Sequence, residues 1–177
     1  MTGSIFRVSS RSTENIAAIA MDIRAHLGVE GEPHFNVIGL LEDLLYQEWD
    51  QVRFEVCDSE EMDGAEGHTC PAGTFIALRE DVYRGACNGD GRARFTVAHE
   101  LGHLVLHAKQ PLRRAAAGEL KPFQSSEWQA DMFAAQLLMP AQFFSWVDNE
   151  QSVMRRHGVT HSAARYRLNH LRKKGII

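Results

Sequence analysis

The stretch TVAHELGHLVLH, Thr96–His107, decides how the rest of the chain is interpreted. It places His99 and His103 four residues apart, with Glu100 directly after the first histidine and His107 four residues after the second. Residues four apart on an α-helix share one face, about one turn apart, so both imidazoles can reach a single ion. Neutral imidazole suits Zn²⁺, and an adjacent carboxylate can take a proton from water at the open metal position. The motif therefore predicts His99 and His103 as zinc ligands and Glu100 as the general base.

Most residues around this motif are apolar, which predicts a buried helix from about Arg92 to Ala108. Two histidines and a glutamate in a buried helix are costly without partners. The alternative to a metal site is a pair of core histidines with hydrogen-bonded rings. Gly102 costs about 1 kcal/mol of helix propensity relative to alanine, and it predicts close approach of another backbone.

The third zinc ligand is expected from the next strongly apolar helix, SSEWQADMFAAQLLMP (125–140). Glu127 lies in its first turn, where an inward-facing carboxylate needs a cation; the alternative is a carboxylate that stabilises the helix N-terminus. Asp131 is four residues further and is expected to accept the second N–H of a histidine ligand. His107 either donates to the oxyanion of the transition state, supports a ligand from outside, or packs in the core.

Charge is distributed unevenly along the 177 residues, which carry a net charge of −4. Residues 151–177 hold seven Arg or Lys and no acidic residue, whereas residues 1–150 hold 12 basic and 23 acidic residues. GVTHSAARYRL (158–168) has a helix-turn-helix pattern, with a glycine turn, Thr160 as a cap and Ala164 and Leu168 on one face. The basic tail is either a solvated face or a sequence-tolerant nucleic-acid contact whose affinity falls steeply with salt. In the second case single-stranded DNA is a candidate activator.

The remaining patterns predict a small sheet among the helices. Residues 1–12 are expected to be frayed, and residues 57–73 to form a loop or an irregular hairpin. Residues 83–92 are expected to be a connection and residues 109–124 a flexible stretch. A capping box is predicted from Ser126 to Gln129. Helices are predicted at Thr13–Leu27, with Thr13 as cap, at Val37–Trp49, and as two or three short segments of the tail; strands are predicted at Val52–Val56 and Thr74–Glu80.

Three cysteines, with no secretory signal and no apolar run long enough for a membrane, predict a cytoplasmic protein with reduced thiols. Cys70 immediately precedes the strand Thr74–Glu80, and thiolate is a good zinc ligand. We therefore consider Cys70 as a resting-state cap on the zinc, the alternative being a small buried apolar side chain. Cys87 is disfavoured because its loop lies on the order of 10 Å from His99.

The sequence RFTVAHELGHLVLH followed by ExxADxFAAxLLMP resembles the ImmA/IrrE family of zinc metallopeptidases, closely over Thr74–Pro140 and more loosely into the tail. The resemblance implies a zincin-like active site with His99, His103 and Glu127 as ligands and Glu100 as catalytic base. Family members typically cleave helix-turn-helix repressors, often encoded beside them, in DNA-damage, stress or phage-defence responses.

Together these observations predict an α+β zinc metallo-endopeptidase over residues 1–140, with a small antiparallel sheet packed on the active-site helix. Residues 141–177 are expected to form a helical basic appendage. The expected partner is a repressor protein, with an extended segment of the substrate lying along the strand Thr74–Glu80. The rival interpretation is a DNA-binding regulatory or antitoxin-like protein with a structural or vestigial zinc site.

Overall fold

The computed structural model describes residues 6–110, 113–115 and 120–177, which form seven α-helices and five short strands. This is the α+β class that the sequence predicts. The four helices predicted within residues 1–140 all form, with ends within two residues of those expected. The helices are α1 (Thr13–His26), α2 (Val37–Glu48), α3 (Glu80–Cys87), α4 (Gly91–His107), α5 (Ser126–Leu138), α6 (Glu150–His157) and α7 (His161–Lys173). The strands are β1 (Phe6–Arg7), β2 (Arg53–Cys57), β3 (Gly67–Thr69), β4 (Phe75–Arg79) and β5 (Arg113–Arg114).

The main sheet has three strands in the order β2-β4-β3 and is mixed, not antiparallel as predicted. β3 and β4 form a hairpin, closed by the turn in which the N–H of Gly73 donates to Cys70 O at 2.7 Å. Gly73 has φ +67°, a conformation that favours glycine. Because the hairpin reverses the chain before β4, β4 runs parallel to β2. Residues 57–73, predicted as a loop or an irregular hairpin, contribute the edge strand β3 to this hairpin.

A second, two-stranded sheet joins β1 to β5, with Phe6 opposite Arg114 and Arg7 opposite Arg113. The prediction that residues 1–12 are frayed is wrong for Phe6 and Arg7, because these two residues pair with a strand more than 100 residues further along the chain. Residues 1–5 lie outside the described residues. The stretch 109–124 also holds a 3₁₀ turn, Pro122–Gln124, and its residues 111–112 and 116–119 lie outside the described residues.

Two helix caps lie one residue earlier than predicted. Ser12 caps α1 and Ser125 caps α5; each has an extended backbone, and its hydroxyl accepts the N–H of the residue three positions on. Thr13 and Ser126 are already helical. The side chain of Gln129 bonds elsewhere, so the expected capping box from Ser126 is not made.

The prediction of a connection over residues 83–92 is wrong because α3 runs through its first half. Val82 and Ala86, four residues apart, are buried on one face of α3. Glu80 pairs with Arg84 at 2.6 Å, also four residues apart, and an acidic first turn favours the helix N-terminus. These spacings outweigh the glycines that suggested a loop.

The core joins the tail to the rest of the protein. Helix α4 packs against α5 through side chains that are at most 4% exposed, among them Val97, Leu101 and Phe133. Val153 of α6 and Leu168 of α7 belong to the same hydrophobic core. The division into residues 1–140 and 141–177 stays a prediction about domains, and the packing of the two parts is continuous.

In the tail, helices α6 and α7 are joined by the short turn 158–160, and a helix-turn-helix character stays a prediction. Helix α6 ends at Gly158, which has φ +62°, and Thr160 caps α7 by accepting the N–H of Ala163. Ala164 and Leu168 face the core, as expected. None of the helices within the described ranges is long and apolar enough to cross a membrane.

Four of the seven basic side chains of the tail contact other parts of the protein. Arg156 pairs with Asp148 at 2.6 Å, and Arg172 donates to the Asp148 backbone carbonyl at 2.7 Å. Arg167 is buried and donates to the carbonyl of the last residue before Pro140, and Lys174 lies 3.5 Å from a glutamate of α1. Nucleic-acid contact by the tail stays a prediction. Five of the basic residues are exposed, namely Arg155, Arg165, Arg172, Lys173 and Lys174.

Candidate metal centre

Three side chains from two helices bring their ligand atoms together. The Nε2 atoms of His99 and His103 on α4 lie 3.0 Å apart. Glu127, in the first turn of α5, places Oε2 3.5 Å from His99 Nε2 and Oε1 3.5 Å from His103 Nε2. Tetrahedral zinc with ligands at about 2.0–2.1 Å sets its ligand atoms about 3.4 Å apart. The three residues therefore fit zinc, and they form the one possible metal-binding group of this kind among the described residues.

The two helices can approach this closely because Gly102 has no side chain. A Cβ at Gly102 would lie 3.1 Å from Ala130 Cα, 3.1 Å from Phe133 Cδ1 and 3.2 Å from the Ala130 carbonyl oxygen. The sequence-based expectation of close backbone approach at Gly102 is confirmed. This crossing sets Glu127 opposite the two histidines.

The charges at the centre favour a cation. Burial by itself lowers the pKa of His99, but its hydrogen bonds to Asp131 and Glu127 outweigh burial and raise that pKa to about 10. Burial acts to raise the pKa of Glu127, but its contacts with His103 and His99 lower the pKa well below the ordinary value. The group thus holds an ionised carboxylate, and the acidic groups around His99 favour positive charge at that position.

Asp131 and His107 contact the two histidines from the side away from Glu127. His99 Nδ1 lies 2.8 Å from Asp131 Oδ1, so Nδ1–H donates to the carboxylate and Nε2 is left to bind a metal. Asp131 is where the sequence predicts it. His107 uses both ring nitrogens, one at 3.2 Å from His103 Nδ1 and the other at 3.2 Å from Gln129 Oε1. These contacts favour a supporting position for His107 over oxyanion donation, and burial lowers the pKa of His107 to about 4.

Glu100, one residue after the first histidine, is 8% exposed and lies against strand β3. Thr69 of β3 donates its hydroxyl to Glu100 Oε2 at 2.7 Å and also lies 2.9 Å from the Glu100 carbonyl oxygen. A Cβ at Gly67 would lie 2.6 Å from Glu100 Cγ, so β3 passes directly over the carboxylate stem. Sequence reasoning missed Thr69 and Gly67 because no local pattern links a short polar strand to a residue 31 positions away.

A cleft of about 420 Å³ opens over the three ligands. Residues 67–71 line one side, and Phe6 also contributes to the wall. The sheet order leaves the outer edge of β3 without a strand partner among the described residues. The prediction that Thr74–Glu80 lies along the cleft is wrong, because β4 is the central strand and β3 lies beside the ligands.

Cys70 lines the same cleft but is not part of the three-residue group. Its Sγ accepts a hydrogen bond from the Thr74 hydroxyl at 3.2 Å, and this bond is the main cause that lowers the pKa of the thiol. All three cysteines are free. A resting-state cap by Cys70 stays a prediction.

A comparison with protein families identifies one family whose model covers the three candidate metal ligands. The family model of the M78 peptidases, described as the IrrE N-terminal-like domain, matches residues 52–169, about two thirds of the chain. The matched range holds the main sheet, α4, α5 and most of α7, and therefore every side chain of the three-residue group. Comparison with curated proteins and with solved structures gives no significant match. The chain belongs to the M78 peptidase family, the metallopeptidases of the ImmA/IrrE type.

Proposed function

We propose that the chain is a zinc-dependent endopeptidase that cleaves a helix-turn-helix transcriptional repressor. One observation carries the proposal: the ligand atoms of His99, His103 and Glu127 converge beside the carboxylate of Glu100, in a cleft bordered by a strand edge. A structural zinc site closes all its positions with protein ligands, whereas a catalytic site keeps one open. Three protein ligands next to a cleft favour the catalytic arrangement.

Bound zinc would supply a Lewis acid that polarises the scissile carbonyl and lowers the pKa of water. Glu100 accepts the proton of the attacking water and later passes it to the leaving amine. Because Thr69 holds Oε2 of Glu100, the second oxygen is the one left to meet water. During this proton transfer, Asp131 holds the ring of His99 in orientation and His107 holds the ring of His103.

The substrate segment is expected to be extended. Residues 67–69 of β3 pair with β4 along one edge, and their other edge lies on the cleft side. An extended peptide can add to such an edge as a further strand, with backbone hydrogen bonds supplying affinity. A repressor is proposed because members of the family typically cut one, in a stress, DNA-damage or phage-defence response.

The test uses a small helix-turn-helix protein encoded beside this chain, incubated with zinc-loaded parent and with Glu100→Gln. The parent should cut it at one or a few sites, seen by mass spectrometry. Glu100→Gln should bind one zinc per chain, as the parent does, and lose cleavage by about 10²-fold or more, because it removes the proton acceptor and keeps the ligands.

The matched control is Glu80→Gln, which neutralises an exposed carboxylate on α3. It should cleave at the parent rate. Undiminished cleavage by Glu100→Gln would refute the assignment of the base. If the parent binds zinc and DNA but cuts neither the repressor nor a random peptide library, the regulatory interpretation with a structural zinc is supported instead.

A further inference from the structure

A chain of hydrogen bonds runs from the N-terminal segment to the metal side of His103. Its central member is Gln129 on α5, a fully buried side chain that is not one of the three candidate metal ligands. Gln129 Nε2 donates to the backbone carbonyls of Ser9 and Phe123, both at 2.8 Å. Gln129 Oε1 lies 3.2 Å from His107 Nε2, and His107 Nδ1 lies 3.2 Å from His103 Nδ1.

The donors in this chain follow from the chemistry of each group. A carbonyl oxygen only accepts, so both hydrogens of the Gln129 amide are directed at the two carbonyls and its oxygen is directed at His107. The amide cannot flip without setting its oxygen against two other oxygens. His107 Nε2 must therefore carry the hydrogen that Oε1 accepts.

The position of the hydrogen on the His107 ring in turn determines which nitrogen of His103 donates. His107 is 3% exposed and its two bonding partners are an amide and another imidazole, so a neutral ring avoids an unpaired buried charge. A neutral imidazole with hydrogen on Nε2 has a lone pair on Nδ1. This lone pair accepts a hydrogen from His103 Nδ1, so Nε2, which faces His99 and Glu127, is the ring nitrogen left to bind a metal.

We propose that Gln129 is a positioning residue that, through His107, sets the tautomer of His103 required for metal binding. The proposal extends the proposed zinc site, and it makes the docking of the N-terminal segment at Ser9 a condition for a well-ordered ligand. Asp131 does the same for His99 through a single bond. Both orienting side chains lie on α5, and Gln129 is in turn held by backbone carbonyls of two other segments.

The test compares the parent with Gln129→Met, and Gln136→Met serves as the matched control. Gln136 is also a buried glutamine on α5, but its oxygen bonds Arg167 at 2.6 Å, away from the metal ligands. Metal-free protein labelled with ¹⁵N-histidine is measured at about pH 8, above the ordinary histidine pKa of about 6.5. Nitrogen shifts then report which ring nitrogen of His103 carries hydrogen, and zinc affinity is measured by competition with a chelator.

In the parent, His103 should carry hydrogen on Nδ1. Gln129→Met should populate both tautomers and bind zinc about 10- to 100-fold more weakly, as for loss of an outer hydrogen-bond partner. Gln136→Met should change neither the tautomer nor the zinc affinity.

An Nδ1 of His103 that carries no hydrogen in the parent would overturn the proposal. So would a folded Gln129→Met with the parent tautomer and with zinc affinity within about threefold of the parent, a change well below the expected range. If the tautomer results hold but the parent cleaves nothing, the positioning of His103 stands and the proposed peptidase activity fails.

Discussion

Gly67→Ala should disable the base while leaving the metal ligands in place. The added Cβ would lie 2.6 Å from Glu100 Cγ and 3.0 Å from both Cδ and Oε1, whereas ordinary contact begins at 3.4 Å. The glutamate stem must then retreat by about 0.8 Å. Glu100 is 8% exposed and Thr69 bonds its carboxylate, so the side chain has little free space in which to move. The Glu100 carboxylate therefore has to leave the position in which Thr69 holds it.

A misplacement of about 1 Å at a reacting group can cost about 10²-fold in rate. We expect kcat to fall by about that factor in Gly67→Ala, with KM and zinc content close to the parent values. The assay uses a quenched fluorescent peptide, chosen from a random library by cleavage with the zinc-loaded parent. The matched control is Gly31→Ala, where an added Cβ meets nothing within 4 Å.

A kcat for Gly67→Ala within about threefold of the parent would refute the reasoning, since it would mean that the position of Glu100 against β3 does not matter for catalysis. A fall in zinc content equal to the fall in activity would also count against it, because the overlap is with the base and not with a ligand.

Two further predictions concern stability. Gly102→Ala should destabilise the protein by about 1 kcal/mol, because overpacking of Ala130 and Phe133 outweighs the gain in helix propensity; urea unfolding measures this, and a stabilised variant would contradict it. Burial lowers the pKa of His157 from about 6.5 to about 4, so the stability that neutral His157 contributes is present above about pH 6.5 and is lost as the pH falls toward 4. The loss should be on the order of 3 kcal/mol in metal-free protein and should be absent in His157→Gln; equal pH dependence of both proteins would exclude His157 as its source.

The metal centre was predictable because most of it is local. Two histidines four residues apart share a helix face in any α-helix, so the pairing of His99 and His103 needs no tertiary information. Glu127 could be predicted as a ligand from the apolar pattern of its helix, since an inward-facing carboxylate there requires a cation. Gly102 could be interpreted in the same way, because glycine inside a helix costs free energy that only close packing recovers.

Other parts of the site depend on contacts between distant segments. The polar segment 67–69 has no pattern that marks it as a strand, and it becomes one because β4 offers hydrogen-bonding groups on that side. Gln129 was expected to close a capping box, the local interaction open to it. In the structure its amide instead bonds carbonyls from segments that reach it only through folding.

The sequence by itself determined the spacing of the proposed ligand pair, the proposed base beside it and the helices that carry them, since helical periodicity links residues a few positions apart. Only the tertiary structure decided which strand borders the cleft, what holds Glu100, and which side chain orients His103. Those outcomes depend on the packing of α4 against β3 and α5, because hydrogen bonds between segments form only where the whole chain brings the partners within reach.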